Sequence, residues 1–137
     1  MKICRIIAII LLASSFVFFA IPLTEAKPCI DIKYYANGNY QGDILDPPFY
    51  NYVKLDKGVK VDLYITGYNP TNEVTELGVS CGGGGTWIKE KFQPGQRRTF
   101  LSSFTYDGSM MDIYYTMSPI DDLSHHIEEF ATTFYSQ

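Results

Sequence analysis

Between residues 59 and 66 the chain alternates without a break. Val59, Val61, Leu63 and Ile65 are apolar, while Lys60, Asp62, Tyr64 and Thr66 each carry a polar group. Successive side chains of a β-strand point to opposite faces, so only a strand lets this stretch bury one set and wet the other. Shorter stretches of the same kind follow one another along the chain, at residues 29–36, 40–45, 50–55, 74–81, 87–92, 97–106 and 110–117. That makes about eight short strands, spaced roughly 8–12 residues apart, and this rhythm predicts an all-β fold. The expected architecture is an antiparallel β-sandwich, immunoglobulin-like or a related Greek key.

The punctuation supports this reading. Asn37-Gly38 is a type I′ hairpin signal, and Asp107-Gly108 is read as a second hairpin turn. Asp46-Pro47-Pro48, Asn69-Pro70-Thr71-Asn72 and Gln93-Pro94-Gly95-Gln96 stop the strands before them. The tail reads differently. Ser118-Pro119 has the form of an N-cap with proline at the first helical position, and Asp121 and Asp122 follow in the first turn. Ile120, Leu123, Ile127, Phe130 and Phe134 then fall at helical spacing, which predicts a short C-terminal helix over about 119–131. Residues 130–135 also fit a last strand.

Lys2 and Arg5 precede an apolar run from Ile6 to Ile21, and Thr24-Glu25-Ala26 supplies small residues before a cut after Ala26. Residues 1–26 are therefore read as a secretory signal peptide, and residues 27–137 as one secreted domain, extracellular or periplasmic. The apolar run is shorter than the roughly 20 residues that span a bilayer, so no membrane span is expected after cleavage. Export places the remaining cysteines, Cys29 and Cys81, in an oxidising compartment and predicts a disulfide between them.

The whole chain carries a net charge of −4, and losing Lys2, Arg5 and Glu25 makes it one unit more negative. An acidic domain lacks the electrostatic basis for binding nucleic acid. Lys89, Lys91, Arg97 and Arg98 form one local basic cluster, read as solvated strand faces.

Residues 79–87 read VSCGGGGTW. A phosphate loop would need spaced glycines, a Lys-Ser/Thr pair and a following helix, and none of these is present. Gly82, Gly83, Gly84 and Gly85 are read as a loop between strands, pinned by Cys81 and Trp87, with partner contact as the second reading. His125 and His126 sit among Asp121, Asp122, Glu128 and Glu129, but adjacent histidines on a helix diverge and no H-E-x-x-H pattern is present. No metal and no cofactor is expected. No G-x-S-x-G motif marks a nucleophile, so the chain is expected not to be an enzyme.

Tyrosine is the compositional excess, with 11 in the chain. Tyr34-Tyr35 and Tyr114-Tyr115 each place one ring on each sheet face, so the core cannot hold them all. Exposed tyrosine offers large contact area at low entropy cost, which makes Tyr35, Tyr64 and Tyr114 candidate binding residues.

Residues 61–104 are similar in rhythm to immunoglobulin-like inhibitor or adhesin domains: strand, Asn-Pro turn, strand, Trp, Pro-Gly turn, strand. Asn69-Pro70-Thr71 resembles a loop of the chagasin-type cysteine protease inhibitors, but Asn72-Glu73 stands where that loop has Thr-Gly, and no Arg-Pro-aromatic element follows. Ile32-Lys33-Tyr34-Tyr35 with Tyr40-Gln41-Gly42 resembles the opening of a βγ-crystallin Greek key over about ten residues, without recurrence. No family is assigned on these stretches. The expected function is a secreted, non-enzymatic binding module for an extracellular protein or glycan. Its surface would be a tyrosine-bearing sheet face or the loop end with Gly82–Gly85 and Trp87. The alternative is a protease inhibitor or toxin-like effector that inserts a loop into its target, and a small hydrolase is the third.

Overall fold

A computed structural model of the protein describes residues 29–44, 50–82 and 85–137. The expected signal peptide, the Asp46-Pro47-Pro48 stop, Gly83 and Gly84 lie outside these residues. The described chain is all-β. Its strands are β1 (Ile30–Ala36), β2 (Asn39–Ile44), β3 (Tyr50–Lys54), β4 (Lys60–Tyr68), β5 (Thr75–Cys81), β6 (Gly85–Phe92), β7 (Arg97–Thr105), β8 (Met111–Pro119) and β9 (Glu128–Tyr135). They form a four-stranded sheet in the order β2-β1-β4-β7 and a five-stranded sheet in the order β3-β9-β8-β5-β6.

The alternation read from the sequence sets which residues lie between the sheets. Val61, Leu63 and Ile65 of β4 and Ile30 and Ile32 of β1 are buried from one side. Leu77 and Val79 of β5, Ile113, Tyr115 and Met117 of β8, and Phe130 and Phe134 of β9 are buried from the other. Aromatic rings cross the gap. Phe134 meets Tyr34 at 6.1 Å and Phe104 at 5.6 Å, Trp87 meets Phe104 at 5.7 Å, and Phe92 meets Phe100 at 6.2 Å between ring centroids. Two sheets joined face to face by one apolar layer make a β-sandwich. Gly67 marks the closest approach. A Cβ there would lie 2.7 Å from Phe92 Cζ and 3.2 Å from Leu77 Cδ2, so only glycine lets β4 pack this tightly on the facing sheet.

The Asn37-Gly38 turn forms as expected. Both residues have positive φ, 48° and 81°, as a type I′ turn requires, and Ala36 pairs with Asn39 across it. Asp107-Gly108 does not close a hairpin. It carries the chain from β7 in one sheet to β8 in the other, with Asp107 accepting hydrogen bonds from the Ser109 amide at 2.8 Å and its hydroxyl at 2.5 Å.

The expected C-terminal helix is absent, and residues 128–135 are a strand. Phe130, Thr132 and Phe134 point inward with period 2, and the adjacent Thr132 and Thr133 favour extended backbone. β9 also gains backbone partners on both sides, antiparallel to β8 and parallel to β3, so the sheets are not purely antiparallel. Ser118, the expected helix cap, is buried at the end of β8. Residues 120–127 fold as successive turns, with the amide of Asp122 on Pro119 O and that of His125 on Asp122 O.

The expected Cys29–Cys81 disulfide is absent too, and both cysteines are free thiols. Their positions explain why. Cys29 precedes β1 beside Tyr68, whose amide donates to its carbonyl at 2.7 Å, at the end of the sandwich where Gly67 packs on Leu77. Cys81 lies four residues further along β5, which is about 13 Å at the strand rise, whereas bridged Cα atoms lie within about 7 Å. Burial, then the charge of Glu128, pushes the Cys29 thiol up to about 12. Burial, then Asp112, raises that of Cys81. Both thiols stay protonated at neutral pH and are poor nucleophiles. Thiol titration of denatured, unreduced protein is expected to find Cys29 and Cys81 both reactive. A protein with neither free would overturn this placement.

Candidate functional site

The period that buries Ile32, Leu63 and Ile65 turns the residues between them outward. On the outer face of the four-stranded sheet this brings together side chains far apart in sequence. Tyr35 of β1 lies between Tyr40 of β2 and Tyr64 of β4, at ring-centroid distances of 5.4 Å and 5.3 Å. Tyr64 stands opposite Leu101 of β7. Tyr40, Tyr64 and Leu101 expose 52%, 40% and 57% of their surface, so an apolar stripe crosses all four strands uncovered. The rings are tilted, at 57° and 67° to one another, and are not the coplanar platform that sheet-face binding would predict in its simplest form.

Polar groups line the stripe. The Lys33 ammonium lies 5.8 Å from the Tyr40 ring centroid and 3.8 Å from the Asp43 carboxylate. The Tyr40 hydroxyl donates to Asp43 at 2.7 Å, and this bond to an anion, ahead of burial, raises the phenol above its ordinary range. The Ser103 hydroxyl donates to Asp62, and the hydroxyls of Thr66 and Thr99 share a hydrogen bond of 2.8 Å.

Of the residues singled out in the sequence, Tyr35 and Tyr64 meet on this face. Tyr114 lies on the outer face of the other sheet, beside Gly82, where an added Cβ would touch its ring at 3.5 Å. Trp87 is half-buried against Phe104 and packs the edge of the core. Gly82 follows the end of β5, and Gly85 opens β6 opposite Cys81. The Gly82 amide donates to Asp112 O at 2.8 Å, and Gly85 opens β6 at φ 101°, a backbone angle that favours glycine. Tyr40, Lys33 and Leu101 complete the face and were not singled out. Leu101 was legible, because Phe100 and Phe104 share the inward face and period 2 turns Leu101, next to Phe100, outward.

At the opposite end of the sandwich from the glycines, the Asn-Pro turn is built around a buried side chain. The Asn69 amide donates to Glu73 O at 2.7 Å and Phe92 O at 3.1 Å, and its oxygen accepts from the Thr71 amide at 2.9 Å and hydroxyl at 2.8 Å. Pro70, Asn72 and Glu73 are exposed on this fixed frame. Nearby, Ser118 Oγ lies 2.7 Å from His126 Nδ1, and His126 Nε2 lies 3.8 Å from Glu129. The spacing matches a serine beside its general base. However, Ser118 is only 3% exposed, so no substrate carbonyl can reach it, and the pair serves to hold the loop over β8.

Two residues of the basic cluster are paired in place, while Lys91 and Arg97 are exposed. Lys89 pairs with Glu76 at 3.9 Å, Arg98 pairs with Glu90 at 3.3 Å, and the Arg98 guanidinium stacks on Phe92 at 4.5 Å. No group of three or more His, Cys, Asp or Glu side chains among the described residues is placed to hold a metal ion, and none of their helices is long and apolar enough to cross a membrane. The chain is thus an all-β two-sheet protein with a tyrosine stripe on one outer face. Comparison with protein-family models, curated proteins and solved structures finds no match to it.

Proposed function

We propose that the protein is a secreted, non-enzymatic binding module that recognises an extracellular partner through the outer face of its four-stranded sheet. The observation that carries this reading is the uncovered stripe of Tyr40, Tyr35, Tyr64 and Leu101. Exposed apolar side chains scattered singly need no explanation, but a contiguous set of aromatics does. Between a protein and a glycan, the tilt of the rings favours a protein. Edge-to-face tyrosines leave notches for side chains, whereas a run of sugar rings stacks best on a flat platform. The strand pairs β4–β7, β5–β8 and β8–β9 are those of an immunoglobulin-like Greek key, and we assign the sandwich to that arrangement.

A second reading is the loop-inserting inhibitor or toxin-like effector, with the Asn69-anchored turn as its loop. Loop insertion needs an ordered, exposed loop, and this turn is one.

The test is capture of extracellular partners with purified protein, followed by titration of whatever binds. Tyr35→Ala and Tyr64→Ala are each expected to weaken binding at least about tenfold while unfolding at the wild-type temperature. If both bind normally and replacement of Pro70 and Asn72 abolishes binding, the second reading replaces the first. A glycan captured by the tyrosine face would keep the site and change the partner class.

A further inference from the structure

The edge of a β-sheet presents unpaired N–H and C=O groups that template another strand unless the edge is blunted. The two sheets have four edges: β2 and β7 in one, β3 and β6 in the other. Three are blunted. β2 has 6 residues, slips register against β1 at Tyr34/Tyr35, and holds Gly42 at φ 141°. β3 has 5 residues and ends in Lys54. β6 carries Lys89, Glu90 and Lys91 and pairs with β5 through a bulge at Val79/Ser80.

β7 carries charge only at its start, in Arg97 and Arg98, and lacks the other protections. It runs 9 residues in unbroken register with β4, from Arg97 opposite Tyr68 to Thr105 opposite Lys60. From Thr99 to Thr105 it contains no charge, proline or glycine. Among the described residues no strand lies on its other side. At its midpoint Leu101 is the most exposed apolar side chain of the sheet.

The strand is also complementary to itself. Arg97 and Arg98 open it, and Asp107 follows its end. Laid antiparallel to a copy of itself about Leu101, it sets Leu101 against Leu101, Thr99 against Ser103, and Arg97 beside Thr105 and toward the copy's Asp107. Such diagonal neighbours lie within reach of a long side chain. A parallel arrangement would stack arginine on arginine. From this edge we infer that β7 pairs antiparallel with β7 of a second copy of the chain, joining two four-stranded sheets into one eight-stranded sheet with its two-fold axis at Leu101. The two Leu101 side chains then pack side by side on the outer face. The inference stands on the sheet edge and does not depend on what the tyrosine face binds.

Sedimentation of the purified protein over a dilution series tests it. The wild type is expected to dimerise at high concentration and dissociate on dilution, with the outward amides of β7 gaining protection from hydrogen exchange as the dimer forms. Leu101→Lys and Leu101→Glu each place like charges on the axis and are expected to raise the dissociation constant by about tenfold or more. Mixing the two variants puts opposite charges together and is expected to restore a mixed dimer. A wild type that stays monomeric overturns the proposal. So does a dimer whose β7 amides gain no protection, and so does a pair of variants that form no mixed dimer. The exchange measurement stands even if a variant fails to fold.

Discussion

Phe134→Ala is expected to destabilise the fold by about 3–5 kcal/mol, the range for deleting a buried aromatic ring. Phe134 is fully buried in β9, packs edge-on against Tyr34 and Phe104 from the facing sheet, and belongs to a strand with partners on both sides. Removing it opens a cavity where both sheets meet. The surrounding rings are fixed by their own strands and can collapse only in part, which places the cost at the upper end of core truncations. Denaturant unfolding of the variant checks this through its midpoint at unchanged slope. A loss below about 1 kcal/mol would mean that the ring is not in the core and that β9 is misplaced.

Leu63→Ala is expected to cost about 2–5 kcal/mol and Asp62→Ala within about 0.5 kcal/mol, although the two residues are neighbours. Leu63 is fully buried between the sheets. Asp62 faces outward, where it accepts a hydrogen bond from Ser103 and lies 3.7 Å from the Lys60 ammonium, which is largely exposed and therefore adds little. A one-residue slip of β4 would exchange the two roles. Unfolding of both variants under one set of conditions reads the register directly, and reversed sensitivities would refute it.

What the sequence reveals follows from the range of the interactions involved. The inward face of β4 was legible because alternation is a local property, and the Asn37-Gly38 turn because both its angles are set by the two residues themselves. The tail was ambiguous in principle. Phe130 and Phe134 are four apart, which suits one face of a helix and one face of a strand equally, and only pairing with β8 and β3 decides between them. The tyrosine face shows the same limit. Tyr35 and Tyr64 were each readable as outward, but their contact depends on β1 lying next to β4, three strands later in the chain. Cysteine pairing failed for a related reason. Counting thiols gives parity but not which end of the sandwich each occupies. Nothing in the residues around Asn69 marks that asparagine as the buried centre of its turn, since its partners include Phe92 O at the end of β6.

The parallel pairing of β3 with β9 dictates an order of events. Tyr50 aligns with Ala131 and Lys54 with Tyr135, so an early segment waits for one of the last to be made. Within the five-stranded sheet β3 has no other neighbour. As the chain emerges, β1 and β2 can zip locally, while β3 stays unmated until the chain has been delivered through residue 135. Contacts that close such long loops slow folding. A chain stalled or clipped before β9 would leave both β3 and β8 with open sides, in the form most prone to cling to other chains.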